Sequence, residues 1–115
     1  MNLIERIEEL AKIGETSEGI CRAAGSIDDV RGKSLVINWM LEDGLSVYKD
    51  TYGNIIGKVP GEGPPIVIGS HTDTVATAGK YDGVLGVLAG LEVVKKLEGQ
   101  IKSPLEVVIF YDEEN

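Results

Sequence analysis

The chain has 115 residues, 43% of them hydrophobic and 26% charged, with a formal net charge of −8. That apolar share suits one compact domain burying roughly two thirds of its extended surface, while the acidic balance excludes a phosphate-backbone partner, which needs clustered Lys and Arg. With Cys21 alone there is no internal disulfide, the acidic opening Met1–Glu9 is no secretory signal, and no apolar run approaches the ~18 residues of a membrane span, so the expectation is a cytoplasmic protein with neither nucleic acid nor membrane among its partners.

Leu3, Ile4, Ile7, Leu10 and Ala11 recur at helical spacing, with Glu8 and Lys12 paired four apart on the wet side and Gly14 as the stop. Residues 15–25 carry no period and read as a loop. Ser26 with Asp29 resembles a capping box. It opens a helix that runs to Asp43, buries Val30, Ile37, Met40 and Leu41, and ends at Gly44. Leu45–Lys49 and Asn54–Val59 are short strands joined by the turn Asp50-Thr51-Tyr52-Gly53. Past the Pro- and Gly-rich loop 60–65, the continuous apolar run Ile66–Gly69 predicts a strand buried on both faces. Residues 71–82 are polar and turn-rich. From Gly83 to Leu97, apolar residues occupy nearly the whole circumference of a helix, which must then be covered on both sides. Gly86 and Gly90 share one of its faces and let it press against the sheet. Leu105–Tyr111 is a second buried strand.

The fold class is α/β: a partly parallel sheet flanked by helices, an incomplete three-layer α/β/α arrangement. The last strand, helix and strand form a βαβ unit with parallel strands and a right-handed crossover. Open α/β sheets bind ligands at the carboxyl ends of their strands. His71 lies just past the first of these strands, Asp112-Glu113-Glu114 past the second, and Asp82 at the start of the helix between them. With Asp73, the only histidine and several carboxylates converge on one rim.

Crowded carboxylates repel unless something positive joins them. No Arg follows Arg31, and Lys80 is the only base within 71–82, so a divalent metal is the better candidate. Imidazole with carboxylate oxygens suits zinc, and also manganese or cobalt. Asp73, two residues from His71 in an extended segment, is placed to take the ring proton and fix the tautomer. Plainer readings exist for each residue. His71 could be a surface histidine, Asp82-Gly83 a helix cap and turn, Asp73 a turn residue, and Glu113-Glu114 a solvated tail. Against them stands the need for several unrelated accidents to share one rim. Gly79, Gly83 and Gly86 give a weak phosphate-loop signal, because Asp82 occupies the place where an anion would dock.

Gly69-Ser70-His71-Thr72-Asp73-Thr74-Val75, Gly79-Lys80-Tyr81-Asp82-Gly83-Val84-Leu85-Gly86-Val87 and Phe110-Tyr111-Asp112-Glu113-Glu114, with Gly19-Ile20-Cys21-Arg22 and Tyr52-Gly53-Asn54-Ile55-Ile56-Gly57 upstream, resemble the hydantoinase/carbamoylase branch of the dinuclear-metal aminoacylase and carboxypeptidase superfamily. The resemblance implies a metal-dependent amidohydrolase acting on a small carboxylate-bearing ureido or amide substrate, such as an N-carbamoyl-L-amino acid or allantoate. It implies two divalent ions, with His71 on one, Glu114 on the other and Asp82 bridging both. Asp73 would orient His71, and Glu113 would be the general base. Members of the family are several times longer, with further ligands downstream, one of them a histidine, and a lid domain that dimerises. Residues 1–115 therefore correspond to the N-terminal part of a catalytic domain, lacking the lid and the C-terminal catalytic part. The chain alone is expected to be inactive, to bind metal weakly or in part, and to form a homo-oligomer through uncovered sheet surface. An aminoacylase or peptidase of the same superfamily, a metal-free interaction module and a nucleotide-binding module are the competing readings.

Overall fold

The computed structural model describes residues 1–115. Helix α1 (Leu3–Ala11) starts at a reciprocal cap: Asn2 Oδ1 accepts from the Glu5 amide at 2.9 Å, and Glu5 Oε1 from the Asn2 amide at 3.0 Å. Two two-residue strands, β1 (Glu15–Thr16) and β2 (Gly19–Ile20), follow as an antiparallel hairpin where the sequence suggests only a loop. Their length is below what any periodicity can reveal. Helix α2 (Ile27–Glu42) is capped by Ser26, whose hydroxyl accepts from the Asp29 amide at 3.1 Å. Strands β3 (Ser46–Lys49) and β4 (Ile55–Val59) form the expected hairpin, then come β5 (Ile66–Ser70), helix α3 (Val84–Lys96) and β6 (Leu105–Ile109).

The main sheet runs β3-β4-β6-β5, with β5 and β6 parallel and the other neighbours antiparallel. This is a mixed α/β fold, and the parallel pairing across α3 is the one the βαβ pattern predicts. The core gathers alternate residues of the sheet, Ile55 on β4 and Leu105, Val107 and Ile109 on β6, under Ile7 and Leu10 of α1, Val36, Trp39 and Met40 of α2, and Val84, Val87, Leu88 and Leu91 of α3. Each fully buried Leu or Val contributes about 1.5–3 kcal/mol relative to an exposed one. Gly90 lets α3 sit tightly on the sheet, since a Cβ there would lie 3.1 Å from Ile68 and 3.3 Å from Val107.

Three expectations fail on burial and one on pairing. Strand β5 is not covered on both faces but is the sheet edge, with Ile66 and Val67 48% and 52% exposed, because β6 inserts between β4 and β5. In α2, Val30 and Leu41 are 59% and 56% exposed, and the buried stripe is Asp29, Gly32, Lys33, Val36, Trp39 and Met40. Asp29 and Lys33 can occupy it because they pair with each other at 3.0 Å. Glu8 does not pair with Lys12. Lys12 bonds Glu9 at 3.1 Å, and Glu8 holds Lys80, fastening the 71–82 segment to α1. On α3, Leu85 and Val93 stay exposed, so its apolar circumference is covered on one side only.

Candidate metal centre

Three chain segments meet at the carboxyl end of the β5–β6 pair. His71 follows β5 directly, Asp82 precedes α3, and residues 111–114 turn out of β6. One ligand atom each from His71, Asp82 and Glu114 lies within 4.8 Å of the other two. The histidine is buried, Glu114 half-buried and Asp82 exposed.

The imidazole is held by its surroundings. Its Nδ1 is 2.9 Å from the main-chain oxygen of Asp73 and 3.6 Å from that residue's carboxylate. The closer partner is thus the Asp73 carbonyl rather than its side chain, a departure from the geometry the sequence suggests. On the other side, Nε2 is 2.9 Å from Glu113 Oε2, 3.6 Å from Glu114 Oε1 and 3.9 Å from Asp82 Oδ2. Both ring nitrogens therefore face only oxygen acceptors. A neutral imidazole has one N–H to give, and the second nitrogen then turns its lone pair on an acceptor unless a cation lies between them. The donor set of one imidazole and nearby carboxylates fits a divalent ion.

Electrostatics agree. Glu114 has its carboxyl pushed above the usual range, first by the hydrogen bond it shares with Asp82, then by burial and by the like charge of Asp82, with Glu113 adding to the push and His71 opposing it. The side chain of Asp73 organises the opposite arm, accepting from the amides of Glu113 at 3.4 Å and Glu114 at 3.2 Å. The same arm is pinned by Asn54, whose Oδ1 accepts from the Tyr111 amide at 2.8 Å. Asp112 turns the chain there with φ +54°. Asp82 does not cap α3. The cap is Gly83, which makes no side-chain capping bond.

The sequence names Arg22 and Asn54 only within the strings of the resemblance, with no role for either, and it does not show the steric role of Gly83. Arg22 sits in a stretch without period and Asn54 directly before β4, where nothing local shows which distant backbone they reach. Gly83 has φ +71°, and a Cβ there would come within 2.5–2.6 Å of three atoms of the His71 ring. A cleft of about 370 Å³ beside the rim is lined by Cys21, Ala23, Asp73, Thr74, Val75 and Glu114 among others. The larger cleft, about 540 Å³ between α2 and the β3–β4 hairpin, is lined by none of the five rim residues.

Comparison with known proteins shows what the chain is similar to. The chain is 45% identical over 115 residues to the N-carbamoyl-L-amino-acid amidohydrolase of a Pseudomonas species, an alignment covering 94% of this chain and 28% of that protein. It superposes on the crystal structure of a hydantoinase/carbamoylase family amidase from Burkholderia ambifaria with a TM-score of 0.92 at 39% identity, covering 97% of this chain and 29% of the other. The chain is related to the hydantoinase/carbamoylase amidases. It is also 37% identical to an allantoate deiminase of Arabidopsis thaliana, over 96% of this chain and 23% of that protein. The chain spans less than a third of the length of these three relatives. A structure from Bacteroides vulgatus, provisionally described as a Zn-dependent exopeptidase, shares the fold at a TM-score of 0.72 and 18% identity. No family model matches the chain. No helix is long and apolar enough to cross a membrane.

Proposed function

We propose that this chain is the N-terminal part of the catalytic domain of a metal-dependent amidohydrolase that cleaves the ureido C–N bond of an N-carbamoyl-L-amino acid or an allantoate-like substrate. The observation that carries the reading is the meeting of His71, Asp82 and Glu114, from three separate segments, with ligand atoms within 4.8 Å. The kinship with proteins named for those substrates supports it. His71 would hold one divalent ion and Glu114 a second, with Asp82 shared between them; zinc fits this donor set, as do manganese and cobalt. When bound, the metal supplies Lewis-acid polarisation of the scissile carbonyl and of the attacking water.

The chain's own residues supply the proton handling and the alignment. Glu113, 48% exposed on its side chain and 2.9 Å from the imidazole Nε2, stands at the rim. There it takes the proton of the attacking water and passes it to the leaving nitrogen, a role worth ~10²–10⁴ in rate. Asp73 fixes both arms, through its carbonyl on the imidazole and its carboxylate on the 113–114 amides. The cleft beside Glu114 gives the substrate room. Water adds across the carbamoyl C–N bond, and the products are ammonia, carbon dioxide and the free amino acid.

Turnover belongs to a longer protein that carries the remaining ligands and substrate contacts. In that protein Glu113→Gln is expected to keep the metal content while activity on N-carbamoyl amino acids falls ~10²-fold or more. Equal loss of metal and activity contradicts the base role. Preference for N-acetyl over N-carbamoyl amino acids would instead mark an aminoacylase.

A further inference from the structure

Arg22 is 1% exposed, yet no carboxylate accepts a hydrogen bond from it. Its guanidinium serves three main-chain carbonyls instead. Nε donates to Thr72 at 2.9 Å, and Nη1 to Leu10 at 3.0 Å and Ile13 at 2.6 Å. The main chain of the same residue grips Thr74: the Arg22 amide donates to Thr74 Oγ1 at 2.7 Å, and its carbonyl accepts from the Thr74 amide at 2.9 Å. Residues 72 and 74 are thus both anchored, and they bracket Asp73, whose carbonyl and carboxylate orient His71 and the 113–114 turn.

We propose that Arg22 is a positioning residue of the metal centre, clamping the His71–Thr74 segment to the C-terminal end of α1 and so setting the direction in which the imidazole meets Asp82 and Glu114. The proposal rests on the metal-centre reading of those three side chains. Filling a core needs no charge, and burying a guanidinium without a direct counterion is costly. Burial indeed pushes Arg22 below its ordinary range, against the pull of Asp29, Asp28 and Asp73. What a guanidinium offers in return is a rigid planar fork that reaches carbonyls in two directions at once, which a lysine ammonium on a flexible stem does not. The fold makes room for it: a Cβ at Gly32 would lie 2.9 Å from Arg22 Cδ. Groups that orient ligands from behind typically govern 10–100-fold in metal affinity.

The test measures Zn²⁺ affinity by chelator competition, and the Co²⁺ absorption spectrum, on the 115-residue chain. Wild type is compared with Arg22→Lys, Thr74→Val and Arg6→Lys. Arg6 is a control of similar burial, paired with Asp43 at 2.7 Å next to the end of α2. Arg22→Lys is expected to weaken Zn²⁺ binding about 10-fold or more and to change the Co²⁺ spectrum. Thr74→Val, which removes one grip and no charge, should weaken binding in the same direction. Arg6→Lys should lower the melting temperature and leave the affinity within about twofold. Wild-type affinity in both Arg22→Lys and Thr74→Val overturns the proposal, as does an equal loss in Arg6→Lys. If Arg22→Lys does not fold, Thr74→Val decides alone. Failure of the wild type to bind Zn²⁺ is a separate result, which removes the metal-centre reading and the proposal with it.

Discussion

Gly83→Ala puts a single methyl group into the most crowded point of the rim. The residue lies at φ +71° and ψ −48°, the centre of a γ-turn closed by the Val84 amide on the Asp82 carbonyl at 2.7 Å. Any L-residue held there is strained by about 1–3 kcal/mol. The new Cβ would also stand 2.5–2.6 Å from Cε1, Nδ1 and Nε2 of His71. The ring has little room to retreat, because it is buried and its Nδ1 is tied to Asp73 at 2.9 Å. Overpacking of this kind adds about 1–3 kcal/mol. The combined loss of about 2–6 kcal/mol is a large part of the ~5–15 kcal/mol that stabilises a domain. Gly44→Ala separates the two contributions, since Gly44 has φ +88° and a methyl group there would meet nothing within 4 Å. Urea unfolding of both variants should show Gly83→Ala losing more, by about the overpacking contribution. Equal losses would refute the claim that the glycine exists to admit the imidazole.

Two further outcomes follow from charge and from the open edge. Asp82 lifts Glu114 above its ordinary range. A carboxyl raised in the folded state contributes its full stability below its unfolded value and loses it as pH rises through the folded one. Asp82→Asn should therefore gain melting temperature on the metal-free wild type as pH climbs from about 4 to about 7, and parallel curves would contradict the repulsion. Strand β5 offers an unpaired edge with Val67 exposed, a surface on which two copies can pair. We expect self-association by sedimentation at micromolar concentration, abolished by Val67→Lys; a wild-type monomer would remove the idea.

What the sequence disclosed depended on whether the signal was local. The Asp50–Gly53 turn, the Ser26 cap and the α3 pattern each lie within a few residues, and each element is found where its pattern sits. The rim was legible for a topological reason: strand, helix and strand in that order bring the ends of β5 and β6 and the start of α3 together whatever the other residues do. The buried face of α2 was legible at Met40 but not at Asp29, Gly32 and Lys33, because Asp29 and Lys33 satisfy each other and Gly32 yields its space to the Arg22 side chain. Hydrophobicity ranks all three as outward. The edge position of β5 depends on β6 entering beside β4, and the apolar run of β5 itself carries no information about its neighbours. The grip of Arg22 and Asn54 on distant backbone is equally invisible along the chain.

Calorimetric titration of the chain with Zn²⁺ and with Mn²⁺, on wild type and on His71→Ala, asks whether the three converging side chains hold a cation. A saturable heat in the wild type that disappears in His71→Ala is the expected result. Identical heats in the two proteins would mean that the rim is only a cluster of acids around a histidine, and the hydrolytic account would fall.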